Sequence, residues 1–184
     1  MCRVKLVQPI RDKKKIEEMK IELMKSGYKN YMLFVIGINT GLRVSDILNL
    51  KVKDLRGTTH IIIIEQKTKK LKRFLINSML RQEIDKYITG MIDDEYLFKS
   101  RKGINKPITR IQAYRILNDC ASKLGLIEIG THTLRKTFGY WHYQQHKDVA
   151  ILQDIFNHSA PSVTLRYIGI NDDIKDRSIE SFYL

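Results

Sequence analysis

The sequence is short of cysteine, of acidic residues and of long apolar runs. Cys2 and Cys120 are its only cysteines. Two thiols make no disulfide framework and fit a reducing, cytoplasmic setting. No Cys/His cluster has zinc-ligand spacing. No apolar run approaches the ~20 residues of a membrane span, and Tyr31 to Ile38 is only core-helix length. The start, Met1-Cys2-Arg3-Val4-Lys5, lacks the apolar segment of a secretory signal. There is no glycine-rich P-loop for nucleotide phosphates and no carboxylate cluster for Mg²⁺.

Acidic residues number 20 against 33 Lys and Arg, leaving a net charge of +13. On one compact domain this makes a polyanion the expected partner, with nucleic acid ahead of an anionic membrane surface. The 184 residues fit a single domain able to bury a full core. Hydrophobic residues at 43% and charged residues at 29% exclude a disordered chain.

The periodicity is mainly helical. A helix is expected over residues 12–26, with Ile16, Met19, Ile21 and Met24 on its apolar stripe and Gly27 at its end. Lys29 to Ile38 is apolar nearly all round and reads as a central buried helix. A turn at Asn39-Thr40-Gly41 leads to a short helix with Val44, Ile47, Leu48 and Leu50. His60 to Ile64 and Phe74 to Ile76 read as strands, joined by a strongly basic turn from Gln66 to Arg73. Tyr96-Leu97-Phe98 is a candidate third strand. Helices return over Met79–Ile88, and from a Thr109 cap to Gly125 with Ile111, Tyr114, Leu117, Ala121 and Leu124 inward. Further helices cover His132–Gln145 and Val149–Phe156. The tail from Asp172 to Leu184 is weakly amphipathic through Ile174, Ile179 and Phe182. The expected class is α+β, mainly α-helical with a small antiparallel sheet.

Five segments hold polar residues that these elements do not require. Arg43 follows a glycine turn, and its plainest explanation is an ion pair with Asp46 at i, i+3. Lys67 lies in the basic hairpin, where a solvated charge run is the simple reading. His132 and Arg135 share a face at a helix start, the end that favours anions. His158 and Tyr167 close the set. Each alone is ordinary. Together, two arginines, a lysine, two histidines and a tyrosine suit metal-free phosphoryl transfer. Guanidinium groups bind phosphate oxygens in pairs, and a phenol is a nucleophile once a base takes its proton.

Order and spacing of five pieces resemble the catalytic domain of the tyrosine site-specific recombinases, the phage integrase family. They are Thr40-Gly41-Leu42-Arg43-Val44-Ser45-Asp46, Lys67 in a strand-turn-strand, His132-Thr133-Leu134-Arg135, Asn157-His158-Ser159, and Thr164-Leu165-Arg166-Tyr167. His158 and Tyr167 stand nine positions apart, as in the family. The likeness covers about residues 10 to 180. It implies that Arg43 and Arg135 clamp a scissile DNA phosphate, with Asp46 orienting the arginine. It implies Tyr167 as nucleophile, giving a 3′-phosphotyrosyl enzyme. His132 would assist proton transfer, and His158 would hydrogen-bond the phosphate. Lys67 would be the general acid for the 5′-hydroxyl, with Lys69 and Lys70 as alternatives. No metal or cofactor is implied. Double-stranded DNA is the implied partner, bound by a homo-oligomer, a tetramer in the family, and Lys69, Lys70, Lys72, Arg73, Arg101 and Lys102 would hold its flanking backbone.

Two departures stand out. Phe156-Asn157 replaces the family's usual Leu-Gly, and Asn is next best to Gly for a left-handed turn. The N-terminal core-binding domain of most members is expected to be absent. Residues 1–184 then form one catalytic domain, with a leader over 1–11 and a tail over 172–184 that packs on itself or on a neighbour. The alternative function is a catalytically silent DNA-binding or regulatory remnant of a mobile-element integrase.

Overall fold

A glycine-to-leucine contact between two central helices organises the fold. In the computed structural model, which describes residues 7–65 and 69–183, α2 (Tyr28–Thr40) is the central helix. Every residue from Met32 to Gly37 is buried, because the segment is apolar on all sides. It packs on α1 (Lys13–Ser26), α4 (Ser78–Ile88) and α6 (Thr133–His146). At Gly37 the two backbones approach so closely that a Cβ would lie 2.5 Å from Leu134 Cδ1. Short segments α3 (Val44–Leu48) and a 3₁₀ turn (Val52–Asp54) lead into the hairpin.

Strands β1 (His60–Ile64) and β2 (Leu71–Leu75) pair antiparallel, with His60 opposite Leu75 and Ile64 opposite Leu71. The expected second strand therefore begins three residues early. The pairing absorbs Leu71, Lys72 and Arg73 into the ladder and shortens the basic turn, while Ile76 lies beyond it. Ile61 and Phe74 face inward, and Ile62, Ile64, Leu71 and Leu75 face out. The candidate third strand is not one. Tyr96 bridges Lys51 on one side and Lys99 bridges Pro107 on the other, so the pairing never runs long enough on one neighbour. Leu97 and Phe98 are buried nonetheless.

The remaining described helices are α5 (Arg110–Lys123), α7 (Val149–Phe156), α8 (Pro161–Ile168) and α9 (Ile170–Glu180). Thr109 and Gln112 form a reciprocal capping box on α5. Pro161 starts α8, where a missing N–H costs nothing. The sequence periodicity alone does not separate α8 from its flanks.

Two apolar stripes differ from expectation. On α1 the buried residues are Ile16, Met19 and Leu23, whereas Ile21 and Met24 are exposed. Leu23 continues the i, i+4 row from Met19, which the other two leave. On α5 the buried residues are Ala113, Leu117, Cys120 and Ala121, and Ile111 is 63% exposed. Close contact with α1 selects the small residues there, and Cys120 Sγ sits 3.5 Å from Met19 Sδ.

A smaller core of Tyr140, Leu152, Phe156, Ile168 and Ile170 joins α6, α7, α8 and α9. Gly139 allows that junction, since a Cβ there would lie 2.6 Å from Ile168 Cγ2 and 2.7 Å from the Phe156 ring. Ahead of α1 the chain is strapped to α6: Ile10 N–H donates to Thr137 Oγ1 at 2.9 Å, and Trp141 Nε1 donates to the Ile10 carbonyl at 2.9 Å. In the tail, Ile174 and Ile179 on α9 and Phe182 beyond it are exposed.

Candidate active site

The starts of α3, α5 and α6 border one cleft, and the end of the hairpin reaches its Arg43 through Glu65. Gly41 ends α2 in the left-handed conformation, φ 66°, and its α-carbon lies against the Phe138 ring of α6. Two residues later Arg43 caps α3 with extended backbone. Its Nη1 lies 2.5 Å from Glu65 Oε1 and 4.0 Å from Asp46 Oδ2. Both carboxylate side chains are almost wholly buried, and Arg43 keeps 17% exposure. The expected i, i+3 pair with Asp46 is thus the longer of two ion pairs.

Arg135, in the first turn of α6, is only 2% exposed. Its Nη1 donates to the Gly41 carbonyl at 2.6 Å and its Nη2 to the Phe156 carbonyl at 3.1 Å. The guanidinium carbon lies 4.3 Å from the Phe156 ring centre. One side chain therefore joins the ends of α2 and α7. Burial pushes its pKa down to about 10, which leaves it charged at neutral pH.

His132 caps α6 through its backbone position, with its ring free of the cap. Its Nδ1 is 3.3 Å from the Tyr167 hydroxyl. Loss of solvent around the ring, then the charges of Lys136, Arg110, Arg135 and Arg43, push the imidazole below the usual histidine range. It is a neutral base at pH 7.

Tyr167 lies in the last turn of α8, half-buried. Its ring centre is 5.1 Å from that of His158 and 5.6 Å from that of Phe156. Burial raises the phenol's pKa, while Arg135 and Arg43 act in the opposite direction. Asn157 adopts φ 53°, ψ 48°, the left-handed turn expected of it, and sets His158 beside the tyrosine. His158 Nδ1 lies 3.0 Å from Thr164 Oγ1. Burial, then Arg135 and Arg43, lower the His158 pKa as well.

The cleft beside these groups has a volume of about 410 Å³ and is lined by Arg43, Ser45, Arg110, Thr131, His132 and Arg135. Three guanidinium groups and an imidazole thus border space for a phosphodiester, and the Tyr167 phenol reaches that imidazole from outside the lining. Among the described residues no group of three or more His, Cys, Asp or Glu could hold a metal ion.

Lys67 lies outside the described residues. Glu65 and Lys70, on either side of it in sequence, both touch this region: Glu65 pairs with Arg43, and Lys70 Nζ donates to Asn157 Oδ1 at 3.0 Å. Of the basic residues expected on a DNA backbone, Lys69 and Lys70 are exposed. Lys72 Nζ donates to the Asp154 carbonyl at 2.7 Å, and Arg73 Nη2 is 3.1 Å from His60 Nδ1. Arg101 and Lys102 are exposed and border a different cleft, with Lys29 and Arg115. Glu65 and Arg110 escaped the sequence reading. Glu65 was detectable, because Ile61, Ile63 and Glu65 alternate toward the interior.

Comparison with known proteins places the arrangement. The Phage integrase family profile matches residues 12–173. The chain is 55% identical over 168 residues to "Probable integrase/recombinase YoeC" of Bacillus subtilis (strain 168), covering 91% of this chain and 92% of that one. It is 31% identical over 159 residues to a tyrosine recombinase of Pseudothermotoga lettingae, covering 84% of this chain but 54% of that one. The fold matches the crystal structure of XerA recombinase with a TM-score of 0.73 at 21% identity, covering 97% of this chain and 67% of that one. It also matches a lambda integrase dimer bound to a COC' core site, with a TM-score of 0.71 at 15% identity, covering 91% and 49%. Among the described residues no helix is long and apolar enough to cross a membrane. With the profile spanning most of its length, the chain belongs to the phage integrase family.

Proposed function

We propose that this protein is a DNA strand-cleaving and strand-rejoining enzyme that carries out site-specific recombination through Tyr167. The observation that carries the reading is the His132–Tyr167 contact of 3.3 Å beside Arg43 and Arg135. The phenolic oxygen attacks the scissile phosphorus while the P–O5′ bond breaks. The phenol's proton passes to His132, and Lys67 supplies a proton to the departing 5′-oxygen. Arg43 and Arg135 stabilise the charge that builds on the non-bridging oxygens. In the tautomer that carries its proton on Nε2, His158 donates that N–H to a phosphate oxygen while its Nδ1 faces Thr164 Oγ1 at 3.0 Å. The 3′-phosphotyrosyl bond keeps the energy of the broken phosphodiester, so rejoining needs neither ATP nor a cofactor. Asp46 helps hold Arg43.

The substrate is double-stranded DNA, and Lys69, Lys70, Lys72, Arg73, Arg101 and Lys102 hold its flanking backbone. The described fold acts as one catalytic domain. Exchange of strands needs more than one copy, a tetramer on DNA as the family resemblance implies. Ile174 and Ile179 on α9, with Phe182 just beyond it, are anchors for a neighbouring copy.

The test is a pool of nicked suicide duplexes with randomised inverted half-sites. Wild-type protein traps a covalent adduct whose DNA can be recovered and sequenced, and Tyr167→Phe traps none. Salt-sensitive binding without any adduct overturns the reading in favour of a silent DNA-binding protein.

A further inference from the structure

Glu65 is a fully buried carboxylate that the sequence motifs do not include. Burying a carboxylate is costly unless a close partner compensates. Among the described residues it pairs with Arg43, at 2.5 Å. Asp46 stands 4.0 Å from the same Nη1, too far for a hydrogen bond. Glu65 is therefore the nearer of the two carboxylates to that guanidinium nitrogen.

The backbone of Glu65 has a second task. Its N–H donates to the Lys70 carbonyl at 3.0 Å, and its own carbonyl accepts from Lys69 N–H at 2.9 Å. These bonds close the base of the hairpin turn that holds Lys67 in sequence. One residue thus ties the guanidinium of α3 to the hairpin.

We propose that Glu65 is a positioning residue for strand cleavage. It acts through Arg43, presenting the remaining guanidinium N–H groups to the scissile phosphate, and it fixes the hairpin base relative to that clamp. Glu65 does not touch the DNA. The inference rests on the strand-cleavage reading above.

The experiment measures single-turnover adduct formation on a suicide duplex selected with wild-type protein. The variants are Glu65→Gln, Glu65→Asp, Arg43→Lys and the Glu65→Gln/Arg43→Lys double variant. Glu65→Gln keeps shape and can still accept a hydrogen bond, so its melting curve reports whether it folds. It slows cleavage at saturating duplex by about 10-fold or more. In a Tyr167→Phe background it changes duplex affinity by no more than about threefold. Glu65→Asp restores part of the rate, because it restores the charge. In the Arg43→Lys background the Gln substitution adds little further loss.

The proposal is overturned if folded Glu65→Gln cleaves at the wild-type rate. It is also overturned if the two losses multiply independently, or if the loss matches a fall in folded fraction. If wild-type protein forms no adduct, the strand-cleavage reading fails and this inference fails with it. An adduct formed equally by wild type and Glu65→Gln removes this inference alone.

Discussion

The Nδ1 of His132 and the phenolic oxygen of Tyr167 lie 3.3 Å apart across 35 positions of sequence. The contact joins the start of α6 to the last turn of α8. Its chemistry depends on opposite effects of one environment. Burial holds the phenol protonated and the imidazole neutral, so an acid faces a base that is ready to accept its proton.

The pH dependence of cleavage follows from those directions. The base form of His132 is lost only when pH falls through a value below the ordinary histidine value of 6.5. The acid limb of a single-turnover rate profile is therefore expected below pH 6.5, with full activity retained at neutral pH. His132→Ala should remove that limb and slow cleavage by about 100-fold or more. A wild-type limb centred well above the ordinary histidine value would contradict the assignment.

Arg135→Lys tests the junction of α2 and α7. A lysine ammonium cannot reach the Gly41 and Phe156 carbonyls together as the guanidinium does. The variant should lose about 2–3 kcal/mol in denaturant unfolding. Its cleavage should fall to background even at temperatures where it is fully folded. Wild-type stability in this variant would show that the two carbonyl bonds contribute nothing net.

The exposed lysines should act through charge alone. Neutralising Lys69, or Arg101 together with Lys102, should weaken duplex binding similarly for all sequences. Each true phosphate contact removed should lower the slope of log affinity against log salt by about 0.9. Titrations at several salt concentrations measure it. An unchanged slope would remove that residue from the DNA surface.

Legibility in the sequence followed physical causes. The uniformly apolar α2 could be read directly, since nothing but burial explains it. The family pieces could be read from their order and spacing, and the four that lie within the described residues meet in the fold. The inward face of α5 could be read only in part. Leu117 and Ala121 are buried as expected, but close packing on α1 takes the smaller Ala113 and Cys120, while Ile111 is exposed. The start of β2 was hidden because Lys72 and Arg73 resemble a turn by composition. Pairing with Ile63 and Ile62 overrides that. The alternation of the strand places Glu65 inward, but it does not name its partner. Its partner lies 22 positions upstream, and only the fold brings Arg43 to it.

The smaller core also governs how Tyr167 is held. Its helix has eight residues, of which Thr164 and Ile168 are buried. Helices shorter than about 12 residues are marginal on their own in water. The order of α8 therefore comes from five buried side chains that form a cluster apart from the main one. Units of this kind open by local unfolding at free energies up to that of the whole domain. Tyr167, the proposed nucleophile, is expected to follow such a local equilibrium, which native-state hydrogen exchange of the α8 amides measures. A change at Leu152 or Ile170 can withdraw Tyr167 from His132 while the helices around α2 stay folded, so a global melting temperature does not measure how often the site is assembled.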